Sequence, residues 1–265
     1  MKWHTYELRV AGPLSIRNNC LQLEVDFTRG RFRIYWLFPA AFCGYKLLMR
    51  AKLFGTLPAM AALLCLSVMA PHAEELKPIP LPAPQTEGGK PLMQALQQRR
   101  TIRELQPDKL PAQVLANLLW AGFGINRPES GHRTAPSAMN SQEVDLYVAL
   151  PGGLYVYEAK PHQLKPVLDK DLRAKTSGQP FATNAPVVLI FVADLPRLTR
   201  ANPDQRPFYA GIDTGYISQN IYLYCASEGL ATVVYDLDRA PLAAAMKLRP
   251  EQRIILAQAV GYPKN

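Results

Sequence analysis

Cysteine is nearly missing from the part of this chain that looks folded. Cys20, Cys43 and Cys65 all fall within the first 73 residues, which leaves Cys225 alone in the rest. A single cysteine cannot close an internal disulfide, so residues 74–265 must rely on a hydrophobic core, and they are numerous enough to build one. Cys225 itself reads as a small apolar residue in a helix. Histidine is scarce as well. His132 and His162 stand in loops with no second ligand at metal spacing, which favours surface or structural roles over a metal centre. No Gly-x-Ser-x-Gly elbow occurs, so Ser137 and Ser141 lack the setting of a nucleophile. Gly122-Phe123-Gly124 lacks the third glycine and the strand context of a dinucleotide-binding turn. Acidic residues are outnumbered, giving a net charge of +9, but unevenly so. Residues 1–73 hold 9 Lys+Arg against 3 Asp+Glu, and residues 74–265 hold 21 against 18. Most of the excess lies outside the folded part, so the high pI gives no support for nucleic-acid binding.

One uncharged stretch is present, Leu53 to Ala70. Met49-Arg50-Ala51-Lys52 precedes it and Ala70-Pro71-His72-Ala73 follows, the layout of a secretory signal peptide cut after Ala73. No paired arginine and no lipoprotein box accompany it. The expectation is an exported, periplasmic protein without a stable membrane anchor, made from a start at Met49, with residues 1–48 a non-native upstream extension that is assigned no fold. The rival is a cytoplasmic tail on an uncleaved anchor, since the apolar run is just long enough to span at about 17–25 residues.

Residues 74–91 are rich in proline and read as an extended linker or surface strap. The domain proper is expected at 92–265. Pro91 suits the first turn of a helix over Leu92–Gln98, and Pro111 opens a second with Val114, Leu115, Leu118, Leu119 and Phe123 as its apolar stripe. Val144–Leu150 and Leu154–Tyr157 read as a hairpin about Pro151-Gly152-Gly153, and Pro166–Ala174 as a short helix. Pro186–Val192 is a continuous apolar run, the pattern of a strand buried on both faces. Asp213–Glu228 reads as a buried helix closed by Gly229, with Gln219 and Asn220 either holding neighbouring loops or bracing a binding loop. Two more strands, Thr232–Tyr235 and Arg253–Val260, complete an α+β domain with helices around a mixed central sheet.

Two segments carry chemistry. Arg99-Arg100-Thr101-Ile102-Arg103 ends the first helix, and guanidinium groups there suit a phosphate dianion, although alone they also suit a solvated helix end. Arg133-Thr134-Ala135-Pro136-Ser137-Ala138-Met139-Asn140-Ser141-Gln142 is a polar loop whose hydroxyl and amide groups suit the edge of a heterocycle. In this order and spacing the two resemble the FMN-dependent nitroreductase superfamily over roughly residues 92–264, with closest likeness to its SagB-type branch. The resemblance implies FMN as cofactor, held by Arg99, Arg100, Thr101 and Arg103 at the phosphate, ribityl and pyrimidine end. Pro136, Ser137, Ala138, Asn140 and Gln142 would approach the same flavin from the partner subunit, and Lys264 would add charge near the phosphate. It further implies a homodimer that passes electrons between small-molecule donor and acceptor through flavin N5, with no side chain acting as acid or base. The other reading is a periplasmic flavin- or ligand-binding module without turnover. The sequence departs from the family pattern at Val234-Tyr235-Asp236-Leu237, where many members carry a Glu-Gly pair, and it has no Lys-Tyr pair of the SagB kind.

Overall fold

The computed structural model describes residues 20–27, 30–37 and 76–264. Met1–His72 and Ala73–Asn265 are separate units. In the first unit, β1 (Cys20–Phe27) and β2 (Gly30–Leu37) pair as an antiparallel hairpin with Leu23 in register with Ile34. The sequence reading assigned no fold here, yet both segments alternate apolar and polar residues, which is the period of a strand. The expected signal peptide and its cleavage after Ala73 lie outside the described residues.

The second unit begins with β3 (Ile79–Pro80), α1 (Leu92–Gln98), α2 (Ala112–Phe123) and a ribbon of β4 (Ile125–Arg127) and β5 (His132–Arg133). The strands β6 (Val144–Leu150), β7 (Gly153–Glu158) and β8 (Gln163–Leu168) follow, then short helices α3 (Arg173–Thr176) and α4 (Pro180–Thr183). The chain continues with β9 (Val187–Asp194), α5 (Arg206–Glu228), β10 (Ala231–Tyr235), α6 (Arg239–Met246) and β11 (Gln252–Gly261).

A central sheet in the order β10-β11-β9-β6-β7-β8-β3 organises the unit. The α+β architecture with helices about a central sheet is as expected. The sheet is not mixed, however, because each neighbouring pair is antiparallel. Every residue of β9 is buried. Its alternate side chains serve opposite faces, as the pleat requires. Val187, Leu189 and Phe191 join Leu118 and Leu119 of α2 and Ile217 and Ile221 of α5. Val188, Ile190 and Val192 join Phe181 of α4 and Leu242 and Met246 of α6. The result is three layers, with the long helices on one face and the short ones on the other.

Three expectations need correction. Pro166 lies in β8 opposite Tyr155, not in a helix. Since β3 pairs only with Gln163 and Leu164, Pro166 sits where the edge needs no N–H donor. Helix α5 starts at Arg206 rather than Asp213, because Pro207 suits a first turn and Ala210 adds another buried position. Nor is α5 buried all round. Phe208 is 68% exposed, Ile212 and Tyr216 are also open, and Gln219 shares that side. Helix α1 is similar, with only Ala95 buried and Met93 75% exposed. The proline-rich strap lies on the surface as expected. Leu81 N–H donates to the His162 carbonyl at 3.1 Å, and the Lys90 N–H to Ser227 Oγ at 2.8 Å.

Candidate functional site

The arginine segment leaves α1 abruptly. Arg99 N–H still donates to the Ala95 carbonyl at 2.8 Å, but the Arg99 backbone is extended and turns the chain out of the helix. Tyr222 of α5 receives it. Its ring lies 5.4 Å beneath the Arg99 guanidinium, a cation–π contact, and its hydroxyl shares a 2.9 Å hydrogen bond with Thr101 Oγ1. That hydroxyl also accepts the Val234 N–H at 3.1 Å. The next residues run beside β10 and the chain end. Ile102 N–H donates to the Thr232 carbonyl at 3.0 Å, and Lys264 N–H to the Glu104 carbonyl at 2.8 Å. Lys264 is thus held beside the arginines by its backbone. Arg100, Arg103 and Lys264 are exposed. Among the described residues, none of these cations nor Arg99 has a carboxylate at ion-pair distance.

The polar loop is built in the opposite manner, with its groups engaged inside the chain. Ser137 Oγ accepts the Gln142 N–H at 2.7 Å and donates to Glu143 Oε2 at 3.2 Å. Ala138 N–H donates to Asp213 Oδ2 at 2.7 Å. Gln142 uses both ends of its amide. Arg133 Nε donates to its oxygen at 2.8 Å, while its nitrogen donates to Asn140 Oδ1 at 3.0 Å and to the Gly131 carbonyl at 3.1 Å. Arg133 is itself fixed, donating to the Phe123 carbonyl at 2.9 Å with its guanidinium 4.3 Å over the Phe123 ring. This lattice holds a costly backbone. Met139, Asn140 and Gln142 have φ of 55°, 54° and 47°. The left-handed region costs a side-chain-bearing residue roughly 1–2 kcal/mol each time.

Arg127, His132, Arg133, Ser137, Asn140 and Gln142 line a hollow of about 260 Å³ at this loop. Burial lowers the Arg133 pKa from its ordinary value. Glu143 is wholly buried, and burial first, then Asp213 beside it, pushes its pKa up to about 7.

Each motif is therefore assembled, and among the described residues no hydrogen bond joins the two. The arginine segment is anchored at Tyr222 and the loop at Asp213. Nine residues of α5 separate these, about 13 Å at 1.5 Å per residue. Gln219 is exposed and Asn220 half-buried, away from the loop's own bracing, which falls to Glu143 and Asp213 instead. Sequence reasoning missed Tyr222, Glu143, Asp213 and Arg127. The two acids were the most detectable, since each is a carboxylate inside a segment otherwise patterned for burial. At the departure from the family pattern, Val234 N–H is taken by Tyr222, and Asp236 binds the Leu237 N–H. His162 serves a structural end, its Nδ1 2.9 Å from the Tyr157 hydroxyl.

Residues 96–262 match the nitroreductase family, a span that includes both motifs and stops short of Lys264. The chain belongs to that family, which places it among oxidoreductases. It is 32% identical over 152 residues to the nitroreductase-family protein MJ1384 of Methanocaldococcus jannaschii, covering 54% of this chain and 76% of that one. A crystal structure of a nitroreductase-family protein from Ralstonia eutropha JMP134 is 40% identical, with a TM-score of 0.69 over 72% of this chain and 91% of that chain. A chain of the E. coli microcin synthetase McbBCD complex shares the fold at 16% identity, with a TM-score of 0.55 over 81% and 85% of the two chains.

Proposed function

We propose that this protein is an exported, FMN-dependent oxidoreductase that works as a homodimer. The observation that carries the reading is the separation of two complementary half-sites on one helix. One presents Arg99, Arg100, Arg103 and Lys264 without carboxylate partners among the described residues, which fits a phosphate dianion. The other is a stiff polar loop, Pro136 to Gln142, suited to one face or edge of a planar ring. The exposed apolar side of α5, with Phe208, Ile212 and Tyr216, and the exposed Leu92 and Met93 of α1 are the surface a second copy covers. Such a dimer sets one copy's loop against the other's cations.

Bound there, FMN would supply hydride and electron transfer through N5 between two small molecules in a ping-pong cycle. The chain's own contribution is binding and orientation. Arg99, Arg100, Thr101 and Arg103, with Lys264 near the phosphate, would hold the phosphate, ribityl and pyrimidine end, and the loop would restrict the ring. Positive charge at the pyrimidine end stabilises negative charge that develops there on reduction. Export follows from the basic start at Met49 and the apolar run behind it.

The test begins with an absorbance spectrum of purified protein, which should show bound flavin. Arg99→Ala and a Ser137→Ala/Asn140→Ala variant are then mixed by joint unfolding and refolding. The heterodimer should regain part of the wild-type flavin stoichiometry, because one site is whole and the other carries both defects. No recovery in proteins shown to have mixed would place the whole site within one chain. Yellow protein that no reductant bleaches would favour a binding module.

A further inference from the structure

Glu143 poses a physical problem that the loop's hydrogen bonds do not solve. Its side chain is wholly buried at the start of β6, and Oε1 has no hydrogen-bond partner among the described residues. Oε2 is accounted for by the Ser137 hydroxyl. Asp213, also buried, comes from α5 and accepts the Ala138 N–H at 2.7 Å. Two carboxyl groups thus grip consecutive residues of one loop, and the charge of Asp213 is among the causes that raise the Glu143 pKa. Two carboxylates buried at one loop repel, and neither can donate to the other, because each offers only acceptors. A proton on Glu143 Oε1 solves both difficulties, turning the orphaned oxygen into a donor toward Asp213.

We infer that Glu143 and Asp213 share one buried proton and are together the positioning residues of the Ser137–Gln142 loop, so that loss of the proton loosens the loop and weakens the flavin site. The inference rests on the loop being the flavin-facing half-site proposed above. The shared proton has a direct structural consequence. It lets Asp213 receive Ala138 N–H and lets Glu143 receive Ser137 O–H without mutual repulsion, and Ser137 Oγ in turn holds the Gln142 N–H. Three left-handed residues, Met139, Asn140 and Gln142, lie within this anchored loop, so it has little else to keep it in place if the anchors separate.

Among the described residues, no other charged side chain bonds the Glu143 carboxyl. Arg197, which follows β9, pairs with Asp145 and Asp194 and reaches only the carbonyl of Gln142. Arg133 is bound to the Gln142 side chain and the Phe123 carbonyl. Asp194 meets Glu143 through backbone alone, its N–H on the Glu143 carbonyl at 2.9 Å. On α5, Thr214 adds a buried hydroxyl and no charge. Burial and Asp213 together put the Glu143 transition at about pH 7, within reach of ordinary buffers.

The experiment follows the loop and the cofactor separately on the full mature protein. Amide-exchange protection factors of Ala138 and Gln142 are measured without FMN between pH 6 and 9, and the FMN dissociation constant is titrated by flavin fluorescence over the same range. The expected result is a fall in both protection factors, by roughly tenfold or more, centred near pH 7. The FMN dissociation constant should rise over the same interval, by up to about tenfold per pH unit. Glu143→Gln offers an amide donor to Asp213 and an acceptor to Ser137, so it should bind FMN as the wild type does at pH 6 and lose the pH dependence. Asp213→Asn keeps an acceptor for Ala138 while removing the neighbouring charge, and should move the midpoint downward. Flat protection and flat FMN affinity in the wild type would overturn the inference, as would an unchanged pH step in Glu143→Gln. If FMN fails to bind at any pH while the protection step persists, the flavin reading fails and the shared proton stands.

Discussion

The two halves of the candidate site are opposites in construction. The arginine segment keeps Arg100 and Arg103 exposed, with no carboxylate at ion-pair distance among the described residues, while Arg99 and Thr101 lean on Tyr222. The polar loop uses Ser137, Ala138, Asn140, Gln142 and Arg133 on one another and on buried acids. One half leaves its charges exposed, while the other is fixed by its own hydrogen bonds. Substitutions in the first should therefore cost ligand and spare the fold, whereas disturbance of the second should cost both.

The most severe way to break this contrast is to disrupt the surface proposed above to join the halves. Ile212→Asp places a charge on the exposed apolar side of α5. Sedimentation should show a monomer, and flavin should be lost entirely although neither motif has been touched. A dimer that keeps its flavin would mean that the halves meet some other way.

Stability against pH sharpens the contrast next. The pKa of Glu143 in the folded protein, about 7, lies above its ordinary 4.5, so the folded state holds the proton more tightly than the unfolded one. Its contribution is full below about pH 4.5 and is lost as pH rises through about 7, which amounts to about 3 kcal/mol. Between pH 5 and pH 8, urea melts should show the wild type losing roughly 2–3 kcal/mol more stability than Glu143→Gln. The Arg103→Ala variant should follow the wild-type profile.

For the charged half, Arg103→Ala should weaken FMN by about 1.5–3 kcal/mol, the worth of a charge-assisted contact, with riboflavin affinity and melting temperature nearly unchanged. Equal losses for FMN and riboflavin would show that the arginine does not meet the phosphate. Lys264→Ala should have the smallest effect, under about 1 kcal/mol on FMN, since an exposed ammonium on a flexible stem contributes little. Fluorescence titration at two salt concentrations would check it, as salt should erase the difference.

Much of the fold was legible in the sequence because the signal was local. The apolar run Val187–Val192 announced a strand buried on both faces, and β9 is that strand. Leu92–Gln98 emerged with the bounds its proline implied, and Gly229 closes α5 at φ 72° as a left-handed terminator. The hairpin β1–β2 was also legible, by its alternation, and was passed over because scattered aromatics and arginines suggested no pattern. Where Pro166 lies, local preference misled, since an edge strand with a two-residue partner tolerates a residue that a central strand would refuse.

By itself the sequence determined the two motifs, their order, and the residue types that make one cationic and the other polar. Periodicity and composition fix these because they depend on neighbours along the chain. Only the tertiary structure decided that α5 anchors both, through Tyr222 and Asp213 about 13 Å apart, and that one side of this helix stays uncovered in a single chain. It also decided that Glu143 and Asp213, far apart in sequence, are both buried against the same loop, where burial and the charge of Asp213 raise the Glu143 pKa. Burial and proximity are properties of packing, and no local pattern in the chain specifies which two acids will share them.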